Sequence, residues 1–319
     1  MIAAFLTTIF FSISIICGSR SARLIGGSEA NFWRLTCATI FLSFWALSFG
    51  QGLSGETFPI FLLSGVIGIG VGDVALFQTL PRLGPRLTLL LTQCLPVPFS
   101  AAIEWLWMDT RLTSAQMICS AVALAGICIS LFPAEKLDLE KRLILPGILF
   151  GIVAALGQAC GAVLSRKAYA MMADQHTEHI DGMTAAYQRI LGGLLVGGIS
   201  LLVVKWRSIR GHFTFSGESA TLPSKEKWRR VWPWILANSL AGQTLGVSCF
   251  QWAFQTTPAG VVLAIVAITP LVAIPITMVV EKERPSVHSI VGGAIAVAGA
   301  VGLILPNWVA SILSLQKSP

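Results

Sequence analysis

Apolar residues run through this chain in long blocks, and polar residues fall in the short gaps between them. Ten blocks stand out, near residues 2–18, 32–49, 58–80, 84–107, 113–132, 145–169, 184–204, 232–255, 258–280 and 286–306. A helix of roughly 17–25 residues with few charges matches the hydrocarbon core of a bilayer. The pattern therefore predicts an all-α membrane protein with ten transmembrane helices. What is left over holds no separate soluble domain. The longest polar insert, 205–231, is rich in Lys, Arg, Ser and Gly and reads as a surface loop.

Composition points the same way. Of 319 residues 55% are hydrophobic and 12% charged, with a mean hydropathy of +0.77, whereas a soluble domain carries about 25% charged residues. The net charge of +7 is explained by basic loops facing anionic headgroups, so no nucleic-acid partner is expected. The seven cysteines all sit singly in apolar blocks, without a C-x-x-C. That argues for packing residues rather than a disulfide framework or a zinc site. At the N-terminus the first charge, Arg20, follows the apolar run instead of preceding it, so the run reads as a retained first helix. Loops after odd-numbered spans hold about sixteen of the Lys and Arg residues. By the positive-inside rule both termini then lie outside the cytoplasm.

The chain also rhymes with itself. An offset of 173 residues carries 74–133 onto 247–306 without a gap. Phe77-Gln78 falls on Phe250-Gln251, Pro85 on Pro258, Arg111 on Arg284 and Pro133 on Pro306. The segments that open each half correspond too, "FWRL" with "YQRI", which sets Arg34 opposite Arg189. Five spans per half is an odd number, so the second copy must be inverted relative to the first. Inverted repeats enclose a shared cavity near the midplane that rocking can open to either side. The expected division is 1–133 for the first repeat, 134–144 for a linker, 145–306 for the second repeat and 307–319 for a tail.

The stretch "GVGDVALFQTLPRLGPRLTLLLTQCLPVPFSAAIEWLWMDTRL" resembles the EamA-type branch of the drug/metabolite transporter superfamily. It has the same order of Gly-Asp, an aromatic, a Leu-Gly turn, a Pro-containing helix and an acidic-Arg-Leu corner. "CFQWAFQTTPAGVVLAIVAITPLVAIPITMVVEKERPS" is similar to the matching second unit and keeps the corner at Glu283-Arg284. Two departures are Asp109-Thr110-Arg111 in place of Gly-Glu-Arg, and the long insert at 205–231. The resemblance implies two inverted five-helix EamA-like repeats and a transporter. It also implies cytoplasmic termini, against the charge count, and the orientation stays open between the two.

One carboxylate, Asp73, stands inside the apolar run "GVIGIGVGDVALFQTL". A charge at the centre of a bilayer-spanning helix costs about 2.5–3.5 kcal/mol on insertion scales, so it needs a cation or a wet cavity. Arg34 and Arg189 are the candidate cations, although each stands near the start of its span and could snorkel to the headgroups. At the 173 offset Asp73 falls on Gly246, so only one half has the acid. "GVGD" also matches the G-x-G-D of intramembrane aspartyl proteases, but that chemistry needs a second carboxylate. Asp109, Asp138, Asp174 and Asp181 lie at span ends or in loops, and Glu104 sits beside Trp105 and Trp107, where an interface is expected. His176 and His179 have a metal-compatible spacing but no third ligand, so no metal and no cofactor is expected.

The candidate substrate-binding residues are Asp73, Phe77, Gln78, Thr92, Gln93, Gln158, Gln243 and Gln251. Gln243, Val247 and Gln251 recur every four residues along one helix face; cavity lining and an interhelical hydrogen-bond seam are both open for them. Phe77-Gln78 also reads as a repeated packing device. Pro96, Pro98, Pro270 and Pro275 would bend their helices and free backbone carbonyls. Gly157 and Gly161 form a small-x-x-x-small surface. Without a G-x-x-x-x-G-K-[ST] motif, the expected activity is secondary transport of a small metabolite, such as an amino acid or amphipathic compound. It would proceed by alternating access in the inner or plasma membrane, not by an enzyme reaction. The expected partners are that substrate and the lipid bilayer, with a homodimer left open. The alternatives are a G-x-G-D-type membrane protease and a non-transporting scaffold.

Overall fold

The computed structural model describes residues 1–131, 141–174, 180–209, 224–273 and 287–315. Among them the chain is helical throughout, with no strand. A lipid-facing backbone has no water to pair with, so its amides and carbonyls must bond within the helix. In chain order the elements are α1 (Ile2–Ile25), α2 (Gly27–Ser48), α3 (Phe58–Gly65), a π-helical segment π1 (Val66–Val71), α4 (Gly72–Cys94), α5 (Pro96–Met108) and α6 (Ser114–Leu131). The second half has α7 (Lys141–Asp174), α8 (Gly182–Ile209), α9 (Ser224–Asn238), a second π-helical segment π2 (Ser239–Gly246), α10 (Val247–Thr256), α11 (Ala259–Val266) and α12 (Val287–Leu315). Five described helices are long and apolar enough to cross a membrane: Ile2–Ile25, Phe58–Thr79, Leu87–Met108, Arg142–Asp174 and Gly182–Trp206. Phe44, Leu47, Leu106 and Leu202 are exposed, and an outer surface so rich in large apolar side chains is suited to lipid rather than water.

Several boundaries differ from the hydropathy reading. The backbone stays helical through 81–83, where a gap between spans is expected, because in an apolar setting it keeps its hydrogen bonds instead of opening a loop. The interruption falls at Leu95, just before Pro96. The last helix continues past 306 to Leu315, into the expected tail. His176, His179, Pro275, Glu283 and most of the 134–144 and 205–231 segments lie outside the described residues.

The internal repeat is written into the irregularities of the backbone. The offset of 173 carries the start of π1, Val66, onto the start of π2, Ser239. The same offset carries the interruption at Leu95 onto Ile268, in the turn at 267–268 that separates α11 from the helical residues 269–273. Features that depart from the regular helix, and coincide at one register, are harder to reach by chance than shared hydrophobicity.

Close approach at small residues joins the halves. A methyl group built on Gly126 of α6 would stand 2.3 Å from the amide nitrogen of Ala296 in α12, and one on Gly299 2.5 Å from that of Ala123. On Gly65 the methyl would fall 1.7 Å from the Arg189 carbonyl oxygen, so α3 and α8 touch backbone to backbone. Gly161 of α7 lies against π1, its built methyl 2.8 Å from the Gly68 Cα. Ser64 Oγ reinforces this seam by donating to the Gly161 carbonyl at 2.6 Å and pairing with Ser165 Oγ at 2.9 Å. Such seams hold helices together where lipid removes the hydrophobic drive to associate.

The break between α10 and α11 is held by a charged pair. Arg166 Nη1 donates to the carbonyls of Phe254 and Gln255, both at 2.8 Å, closing the end of α10. Glu104 Oε2 accepts from the amides of Ala259 at 2.8 Å and Gly260 at 3.4 Å, capping the start of α11. Each charge thus meets the helix end of opposite polarity, and the two approach at 3.8 Å. Glu104 is buried in the protein, at 1% exposure. Trp105 and Trp107, which flank it around the helix, are about half exposed.

Candidate functional site

A cavity of about 250 Å³ opens where the two halves face each other. The first half contributes Phe11, Ser14 and Ile15 from α1, Arg34 from α2, Gly68 and Ile69 from π1, and Asp73 and Thr92 from α4. The second contributes Ala154 and Gln158 from α7, Arg189 from α8, Gly242 and Gln243 from π2, Val247 and Phe250 from α10, and Thr269. Both π-helical segments therefore line it. A π-turn widens the helix and sets side chains off their α register, and such turns are frequent at functional sites.

Asp73 sits two residues past the end of π1, in the first turn of α4. Arg34 Nη2 donates to its Oδ2 at 2.8 Å, and the two side chains are about one-fifth exposed (20% and 19%). Arg34 is itself oriented by donating from Nε to Asn31 Oδ1 at 2.7 Å. From π2, Ser239 donates to the Arg34 carbonyl at 3.0 Å, tying α2 to the other half. The acid is thus paired, oriented and still open to the cavity.

Arg189 is the second cation. It is 3% exposed, and its Nε has no hydrogen-bond acceptor. Its guanidinium lies in a slot cut by two glycines: methyl groups built on Gly68 and Gly161 would stand 2.7 Å and 3.1 Å from Nη2. The Phe250 ring centroid is 5.8 Å from its Cζ, near the outer reach of a cation–π contact. Neither arginine snorkels. Each stands about two turns into its helix, because α2 and α8 begin at Gly27 and Gly182.

Five of the eight residues expected from sequence line this cavity: Asp73, Thr92, Gln93, Gln158 and Gln243. Phe77, Gln78 and Gln251 are not among the lining residues. Phe77 packs at the start of α2, where a methyl on Gly27 would meet its ring at 2.7 Å. Gln78 is exposed and accepts from Arg82 at 2.9 Å. Gln251 is fully buried, with neither amide atom hydrogen-bonded. Gln243 in π2 and Val247 in α10 both line the cavity, but four further residues of α-helix advance about 40°, which takes Gln251 off the wall that Phe250 forms. The repeated Phe-Gln pair has therefore diverged: its aromatic is a packing residue in one half and a cavity wall in the other. Arg189 is the main residue that sequence reasoning did not place in the site. Its match to Arg34 across the repeat was the available signal.

Among the described residues no second carboxylate lines the cavity, and no group of three metal-ligating side chains occurs. The arrangement does not favour an aspartyl protease.

No curated protein matches the chain. A solved structure described only as "Crystal structure of protein" superposes with a TM-score of 0.73 at 16% identity, covering 95% of this chain and 97% of that one; that likeness speaks to fold alone. The model of the EamA-like transporter family matches residues 1–132 and again 145–305. With two copies of the family unit across nearly its whole length, this multi-pass membrane protein belongs to the EamA-like transporters of the drug/metabolite transporter superfamily.

Proposed function

We propose that the chain is a ten-span secondary transporter of the inner or plasma membrane, its two inverted repeats meeting at residues 134–144. It moves a small metabolite by alternating access. The reading is carried by one observation: a cavity between the halves, lined by both π-helical segments, holds a carboxylate between two arginines. Discontinuous helices with a binding site at the repeat interface are the recurring plan of secondary carriers. The volume, about 250 Å³, is near the small end of ligand pockets, roughly 300–1,000 Å³, and suits a metabolite of amino-acid size. In this scheme Asp73 pairs with a cation or with a charged part of the substrate, while Thr92, Gln93, Gln158 and Gln243 orient its polar groups.

Counterflow in proteoliposomes tests the proposal. Liposomes loaded with a panel of amino acids and amphipathic metabolites should accumulate the labelled form of at least one, chemically unchanged. Asp73→Asn breaks a largely buried charge pair and should slow exchange roughly tenfold or more. Exchange by that variant at the wild-type rate would remove Asp73 from the mechanism. Conversion of the solute instead of exchange would remove the transporter.

A further inference from the structure

The two arginines occupy corresponding places in the repeat, "FWRL" at 32–35 and "YQRI" at 187–190. Arg34 has its carboxylate, because Asp73 stands in the first turn of α4, two residues past π1. At the same place in the second half the residue is Gly246, at the end of π2. Arg189 is therefore left without the acid that its counterpart has. Among the described residues it makes no ion pair, and its Nε, buried from solvent, donates to nothing. Asp73 influences it electrostatically but is committed to Arg34 by the hydrogen bond at 2.8 Å. The charged side chains lining the cavity are Arg34, Asp73 and Arg189, which leaves one positive charge unbalanced. A guanidinium this buried needs an anion, and a carboxylate meets its fork of donors in matching geometry.

We infer that Arg189 is the anchor for the carboxylate of an anionic or zwitterionic metabolite, whose negative charge supplies the counter-ion that the second half of the chain lacks. The rest of the molecule lies along the apolar wall. Phe11, Ile69, Leu76, Leu89, Val247 and Phe250 line the cavity and suit an aliphatic or aromatic tail. The glycines at 68 and 161 serve this site directly, since a side chain at either position would intrude on the guanidinium. The inference rests on the transporter reading only in taking the cavity as the ligand site.

The test is binding to the full chain in detergent, read as ligand-dependent thermal stability, since a ligand of the native state raises apparent stability by mass action. The probes are monocarboxylates from butyrate to phenylacetate, each compared with its neutral amide. Hydrogen bonds to a charged group should make at least one acid bind roughly tenfold to hundredfold more tightly than its amide. Arg189→Gln should abolish that preference, and Arg189→Lys should keep it in weakened form. Asp73→Asn removes the cavity's own anion and should preserve or increase it. Should Arg189→Gln fail to fold, the lysine and asparagine variants decide. The inference is overturned if no acid is preferred over its amide by the wild type, if Arg189→Gln keeps the preference, or if folded Asp73→Asn loses it. Acid-selective binding without counterflow would sink the transporter and leave the anion site standing. Counterflow confined to neutral solutes would do the reverse.

Discussion

Replacing Glu104 with Ala tests the charged capping of the α10–α11 break. The substitution removes the acceptor for the Ala259 and Gly260 amides, held at 2.8 and 3.4 Å. Loss of a helix cap costs about 1 kcal/mol. It also strands Arg166, and breaking a fully buried ion pair costs about 3–5 kcal/mol. Here the separation is 3.8 Å and the guanidinium is 20% exposed, so this part falls to about 2 kcal/mol. Together Glu104→Ala should lose about 3 kcal/mol. Glu104→Gln keeps an acceptor but no charge, and should lose about 1–2 kcal/mol. Unfolding by SDS in mixed micelles, followed by circular dichroism, gives both values. An alanine variant within about 1 kcal/mol of wild type, or a glutamine variant as stable as wild type, would show that the pair does not hold the break.

Two further outcomes follow from the site. Gly65→Ala forces a methyl group against the Arg189 carbonyl, 1.7 Å from its ideal position; the same unfolding assay should show a loss of about 1–3 kcal/mol, and a neutral result would mean that α3 and α8 are not in backbone contact. Arg34→Gln and Asp73→Asn each strand a charge, so the double variant should be more stable than the sum of the single losses predicts; strict additivity in that cycle would refute the ion pair.

Hydrophobic patterning made the helical character and the repeat readable, because lipid imposes one rule on every span. It could not reveal the π-helical segments, which arise where glycine and alanine positions let neighbouring helices press close. Nor could it follow the backbone through 81–83, since hydropathy falls there while helical hydrogen bonding continues. Asp73 was legible as an ion out of place, and its cation was correctly among the two arginines considered. The burial of Arg189 was not, because nearness to the start of a span suggests a headgroup position, and only the slot between Gly68 and Gly161 shows otherwise. The burial of Glu104 was hidden for a related reason. The tryptophans that flank it are half exposed, while the acid turns inward onto the start of α11.

Each π-helical segment holds the equivalent of one surplus residue, and the chain downstream is phased to it. Deleting a single residue between 66 and 71 would let the wide turn close to an α-turn with Asp73 kept near its phase, whereas the same deletion in a regular helix would swing everything after it by about 100°. This six-residue segment can therefore lose a residue and keep the ion pair, and what such a deletion removes is the widened turn in the cavity wall.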